Sequence, residues 1–145
     1  MRMVLQRVHQ AQVRVEGETV AAIERGLLVL VGIRIGDGLP QVAAAVRKLA
    51  GLRVFADAQG RMNLDAAAVG GAFLIVSQFT LAGSLDRGRR PSFEGAEEPA
   101  KAEALIEALL DGLRAVDLPV AGGRFGAHMD ISLINDGPVT FVLDF

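Results

Sequence analysis

Gly26-Leu27-Leu28-Val29-Leu30-Val31-Gly32-Ile33 is a nearly continuous apolar run, the pattern of a central strand covered on both faces. Working upstream, Val4-Leu5-Gln6-Arg7-Val8 and Ala11-Gln12-Val13-Arg14-Val15 alternate as half-buried strands do. Glu16-Gly17-Glu18 follows as a turn, and Thr19 to Ile23 returns. The N-terminal third therefore reads as a β-meander. Downstream, Asp37-Gly38-Leu39-Pro40 marks a helix start, and Val42, Val46, Leu49 and Ala50 share one helical face before Gly51 stops it. Arg53-Val54-Phe55 reads as a strand entering the turn-rich Asp57-Ala58-Gln59-Gly60, and Ala72 to Ser77 as the next buried strand. From Ala82 to Pro99, glycines and prolines predict a long surface loop. Ala100 to Val116 keeps Ala102, Leu105, Ile106, Leu109, Leu110 and Leu113 at helical spacing, the clearest helix in the chain. Two alternating strands, Met129 to Ile134 and Val139 to Phe145, close it, joined by Asn135-Asp136-Gly137-Pro138.

Runs of strands interrupted by two amphipathic helices predict an α+β fold with mainly antiparallel sheet, not a doubly wound one. There is no internal repeat or linker, so residues 1–145 are expected to form a single domain. Of the 145 residues, 51% are hydrophobic and 22% charged, with a formal charge of −2, which fits one globular domain able to bury a core without staples. Zero Cys and only His9 and His128 exclude zinc ribbons, iron–sulfur sites and thiol chemistry. Asp57, Asp65 and Asp130 are too scattered for a metal or glycosidase pair. No glycine-rich phosphate loop is present, so nucleotide-cofactor chemistry is not expected, and on the Cys, His and Asp content no metal is expected either. The uncharged stretch Ala66 to Leu85 contains Gly70-Gly71, Ser77-Gln78 and Gly83-Ser84. It reads better as a turn and a buried strand than as a membrane helix. The first residues do not resemble a signal peptide, and a cytoplasmic protein without membrane contact is expected.

Polar residues stand where two apolar strands end. Ser77-Gln78-Phe79-Thr80-Leu81 presents a hydroxyl, an amide and a hydroxyl, in a chain with only four Ser and three Thr. Such groups either wall a cleft or satisfy backbone groups at a strand end. Asn135-Asp136-Gly137-Pro138-Val139-Thr140 carries an X-Pro bond, cis at a tight turn or trans in an ordinary hairpin loop.

Together these segments resemble the signature pair of the bacterial and eukaryotic D-aminoacyl-tRNA deacylase family. Gln6-Arg7-Val8, the Gly26–Gly32 run, Arg53-Val54-Phe55, Met62-Asn63-Leu64, Arg90-Pro91-Ser92-Phe93 and Gly123-Arg124-Phe125-Gly126-Ala127 resemble family segments in the same order. The resemblance implies a barrel-like fold of β/β/α layers and a homodimer. It implies hydrolysis of the ester joining a D-amino acid, or glycine mischarged on tRNA(Ala), to the terminal adenosine of tRNA. Gly137-Pro138 would then be a Gly-cisPro motif entering the partner's pocket, where its carbonyls fill the space an L side chain needs. Arg7 would orient it, and Ser77, Asn135 and Met129 would help bind substrate. Backbone N–H groups near Phe79 and Thr80 are suited to stabilise the oxyanion. Neither histidine lies in a signature segment to activate Thr80 as a nucleophile. The expected mechanism therefore has the tRNA's 2′-OH assist water, with Thr80 and Gln78 placing the substrate. His128 reads as structural. Arg87, Arg89 and Arg90 on the long loop pair with tRNA phosphates or form a solvated surface. A non-catalytic module binding aminoacyl-tRNA ends, and an esterase for small D-amino acid conjugates, are the rival readings.

Overall fold

The computed structural model describes residues 1–86 and 88–145. The expected role of Arg87 lies outside them. Strand β1 (Arg2–Val15) is central and pairs antiparallel along both edges. On one side lie β2 (Glu18–Ile23) and β3 (Gly26–Gly32), both antiparallel to β1. The register runs on without a break from Ala11↔Ile23 to Val8↔Gly26, so β2 and β3 continue each other end to end. The expected meander is therefore a single long hairpin, because Glu24-Arg25 interrupts the strand without reversing it. The two expected strands at the N-terminus are one, with irregular pairing to the last strand around Val8 and Gln10.

Helix α1 (Leu39–Ala50) ends at Gly51 as its spacing predicts. A two-stranded ribbon follows, β4 (Phe55–Ala56) with β5 (Met62–Leu64), so the strand expected at Arg53 starts two residues later. Then β6 (Ala72–Ser77) joins β3 in parallel. Helix α2 (Pro99–Arg114) leads to β7 (Val120–Gly122), a short strand the sequence reading did not anticipate, which pairs parallel with β6. The antiparallel pairs dominate, as expected. The parallel β3–β6–β7 segment arises because both helices sit in crossover connections between these strands, which a helix count alone did not disclose.

The last strand, β8 (Asp130–Asp144), is continuous and lies on the other edge of β1. Its two halves were expected as separate strands joined by a loop. Instead both pair with β1, from Arg14↔Asp130 to Val8↔Asn135 and again from Gln6↔Thr140 to Arg2↔Asp144. Five residue steps on β8 thus face two on β1, and the Asp136–Val139 segment bulges out of the ladder.

The curled, nearly closed sheet has a core on each face. Leu5, Leu27, Val29, Val31, Phe73 and Ile75 meet Val42, Leu49, Leu105 and Leu109 of the two helices. On the opposite face Val8, Val13, Ile23, Leu28, Leu74 and Val76 pack within the sheet. Strands β3 and β6 are buried on both sides, which is why their sequences lack alternation. The amino group of Met1 lies buried 2.5 Å from Oδ1 of Asp37, the one buried charged side chain among the described residues. Among those residues, no helix is long and apolar enough to cross a membrane.

Candidate active site

Parallel strands β3 and β6 end side by side, and ligand crevices in such sheets form beyond carboxyl ends. Ser77 is the last residue of β6, and the Gln78 N–H donates to the Val31 carbonyl at 2.8 Å. The chain then turns into a 3-10 helix, Phe79–Ala82, where sequence reading had placed only a strand end. Gly32 permits this turn: a Cβ there would stand 2.7 Å from Leu81 Cβ and 3.0 Å from the Gln78 carbonyl oxygen. The first bond of the turn runs from Leu81 N–H to the Gln78 carbonyl at 3.1 Å, so the N–H groups of Phe79 and Thr80 precede it.

A cleft of about 630 Å³ opens here. Ser77, Gln78, Phe79 and Met129 line it, together with Phe93, Phe125 and an apolar floor that includes Val31 and Ile106. Thr80 stands beside it, exposed, and its Oγ1 accepts a hydrogen bond from Gln78 Nε2 at 2.5 Å. The hydroxyl is thus held by an amide donor rather than by a base. Phe79 and Phe93 meet edge to face, with ring centroids 5.0 Å apart.

Sequence reasoning missed several cleft residues. His128, expected to be structural, has a 96% exposed side chain on the cleft wall, with Nε2 3.9 Å from Asp130 Oδ1. Phe125 and Ala127 bring it there through a turn closed by Ala127 N–H to the Arg124 carbonyl. Its place next to Met129 was the available signal. Glu97 and Glu98 also line the cleft. A hydrogen bond from Lys101, 2.6 Å away, is the main cause holding the Glu97 carboxyl below the usual carboxylate range. Among the described residues, no three His, Asp or Glu side chains converge on a metal-sized site.

Arg7, Asn135, Gly137 and Pro138 are not in this cleft but form a second cluster at the β8 bulge. The Gly137–Pro138 peptide is cis. Arg7 Nη1 donates to the Val54 carbonyl at 2.5 Å and Nη2 to Asp136 Oδ1 at 3.2 Å, while Nε lies 2.8 Å from Asp136 Oδ2 without pointing along its N–H. Gln6 Nε2 reaches both Asn135 Oδ1 and Thr140 Oγ1 at 3.4 Å, closing the neck of the bulge. Two β1 side chains therefore hold the protruding segment. Arg89 and Arg90 lie exposed on the long loop, which folds back through paired Ser84 and Ser92 backbones.

Known proteins resemble this chain over nearly its whole length. A D-aminoacyl-tRNA deacylase of Azotobacter vinelandii is 54% identical over 99% of each chain. One of Methylococcus capsulatus is 52% identical over 96% of this chain and 91% of its own. The solved structure of a c-Myc DNA unwinding element binding protein superposes with a TM-score of 0.93 at 38% identity, covering 100% of this chain and 99% of its own. A probable eukaryotic D-amino acid tRNA deacylase shares the fold, with a TM-score of 0.86 at 19% identity over 99% of this chain and 98% of its own. A family model described as D-Tyr-tRNA(Tyr) deacylase matches residues 4–144, and the chain belongs to that family.

Proposed function

We propose that this chain is a D-aminoacyl-tRNA deacylase, one domain over residues 1–145 acting as a homodimer in the cytoplasm, without cofactor or metal. The substrate is the ester between a D-amino acid and the terminal adenosine of tRNA; glycyl-tRNA(Ala) is accepted as well, because glycine offers no side chain to exclude. The observation that carries this reading is the separation of the two clusters. The Asp136–Pro138 protrusion is anchored by Arg7 and by the buried Val139 behind it, yet is not part of its own chain's cleft. A braced protrusion outside its own cleft is suited to a partner's, where the Gly137-Pro138 carbonyls would exclude an L side chain by clash. Strand β8 occupies a sheet edge and exposes Ile134 (51%), Phe141 (39%) and Val142 (61%), which supports a self-complementary contact.

At the cleft, the N–H groups of Phe79 and Thr80 are the oxyanion donors, and Gln78, Thr80, Ser77 and Met129 position the substrate, while Asn135 reaches it from the β8 bulge that enters the partner's cleft. An aminoacyl ester is already activated, and the terminal 2′-OH assists the attacking water. The Gln78 bond to Thr80 Oγ1 supports a positioning role, since a nucleophilic hydroxyl needs a base as its partner. Arg89 and Arg90 meet tRNA phosphates. The test is hydrolysis of D-tyrosyl-tRNA beside L-tyrosyl-tRNA by purified protein in EDTA, with mass measured by light scattering. Rapid loss of the D ester alone, from a dimer, is expected. Survival of both esters with tRNA still bound would favour a non-catalytic binding module, and turnover of small D-amino acid esters as fast as of the tRNA would favour a general esterase.

A further inference from the structure

The wall of the cleft beside the Ser77–Thr80 segment depends on one close approach. The Phe93 ring, 37% exposed, lies over Gly83, where a Cβ would stand 2.9 Å from Phe93 Cε1, 3.0 Å from Cδ1 and 3.0 Å from the Thr80 carbonyl oxygen. Gly83 itself has φ −74° and ψ 150°, a conformation open to any L residue, so its backbone does not require glycine. The requirement is space, for the ring first and also for the Thr80 carbonyl oxygen.

The backbone carrying Phe93 is pinned on both sides and cannot yield to a larger neighbour. Ser84 and Ser92 exchange hydrogen bonds at 2.8 and 2.9 Å, Ala96 N–H donates to the Phe93 carbonyl at 2.9 Å, and Glu97 N–H donates to Ile33 at 3.1 Å. A side chain at position 83 must therefore turn the ring away from Phe79 or push back the Thr80 carbonyl. The ring is the softer element, because it rotates about side-chain bonds while the Thr80 carbonyl accepts from Gly83 N–H at 3.1 Å.

Building on the deacylase reading, we infer that Gly83 is a positioning residue for the reaction. It seats Phe93 against Phe79 so that the two rings form a fixed wall for the substrate's terminal aminoacyl-adenosine. Gly83 never touches substrate; Phe93 does. An edge-to-face aromatic pair is worth about 0.5–1.5 kcal/mol beyond its buried area, a factor of about two to twelve in favour of the aligned rings, and that factor bounds what losing the alignment costs in substrate binding. Losing its alignment raises KM more than it lowers kcat.

The experiment measures kcat and KM for Gly83→Ala, Phe93→Leu and the double variant, on D-tyrosyl-tRNA and on D-tyrosyl-adenosine, which lacks the tRNA body. Gly83→Ala is expected to lower kcat/KM about three- to tenfold on both substrates, chiefly through KM. In the Phe93→Leu background, where the bulky ring is gone, the same change should cost at most half as large a factor, the remainder coming from the Thr80 carbonyl contact. A merely structural glycine would impose its full factor in both backgrounds, and that result overturns the inference. So does a Gly83→Ala enzyme within twofold of the parent, or a loss seen only with intact tRNA, which would assign the effect to the arginine-bearing loop. If Gly83→Ala does not fold, Phe93→Leu alone decides: an unchanged KM on D-tyrosyl-adenosine removes the wall from the reaction. A parent protein inactive on both substrates defeats the deacylase reading itself, and so is told apart from failure of the inference.

Discussion

Replacing Arg7 with Met keeps the apolar stem of the side chain and removes its charge. Three contacts go: the hydrogen bond to the Val54 carbonyl, the hydrogen bond to Asp136 Oδ1, and the close approach to Asp136 Oδ2. Arg7 is only 11% exposed and Asp136 25%, so the carboxylate left behind is poorly compensated by water. Truncating one member of a buried, hydrogen-bonded charge pair costs about 2–5 kcal/mol, and the partial exposure of Asp136 puts this case near about 2. At roughly 2.1 cal/mol/K of unfolding entropy per residue, a chain of this length loses about 7 °C in Tm. A double-mutant cycle with Asp136→Asn should return a coupling of about 1–2 kcal/mol in thermal or urea unfolding. If the clamp holds the chiral filter, the ratio of D- to L-tyrosyl-tRNA hydrolysis rates should fall by about tenfold or more, since each 1.4 kcal/mol of lost orientation is worth a factor of ten. A lowered Tm with an unchanged D/L ratio would show that Arg7 supports the fold and not the filter. Additive single effects would show that the pair seen in the structure carries no energy.

Thr80→Ala should keep D-ester hydrolysis within about tenfold of the parent, the scale of one lost positioning contact to substrate; a loss beyond about a thousandfold with tRNA binding intact would make the hydroxyl the nucleophile. Neutralising Arg89 and Arg90 to Gln should weaken tRNA binding and make the log–log salt dependence shallower by about 1.5, whereas an unaltered slope rejects phosphate contacts. Gly32→Ala should destabilise by about 1–3 kcal/mol and depress turnover as Leu81 and the 3-10 turn are pushed away, and a parent-like Tm and rate would refute that reading of the close contact. Asp144 is held below its ordinary 3.8 first by the hydrogen bond from Arg2. A depressed carboxylate adds stability that is present above about pH 3.8 and lost as pH falls through the lower folded value. Asp144→Asn should therefore flatten the acid limb of a Tm-versus-pH curve and lower Tm slightly at pH 7, and an identical acid limb would count against the pairing.

The apolar runs at Gly26–Gly32 and Ala72–Ser77 announced doubly buried strands, and the helical spacing from Ala100 announced α2, because burial writes itself into local periodicity. What stayed hidden was non-local. No spacing rule shows that β2 and β3 lie end to end, or that both halves of β8 share one partner. The strand β7, three residues beside Pro119, is too short to have a period. For the site, Ser77-Gln78-Phe79-Thr80 stood out because polar groups broke an apolar pattern, whereas Phe93, Phe125 and Glu97 reach the cleft only through tertiary folding. That Arg7 orients the Gly137-Pro138 segment came from the family resemblance alone, and that Asp136 is its partner no local pattern shows, because the two lie 129 residues apart.

The long pairing of β1 with β8 sets the order in which the protein can be made. Arg2 meets Asp144 across 142 residues of sequence, and the outer edge of the central strand has no neighbour until the last stretch has been synthesised. A chain emerging N-terminus first can close the β1–β2–β3 hairpin early, but it carries an open strand edge throughout the remaining elongation. Such an edge is a template for pairing with other chains. Sheets built on contacts this distant in sequence also fold slowly. A chain truncated before β8 would keep that open edge after release, where the intact chain covers it, so the damage would show as intermolecular strand pairing of the finished chain.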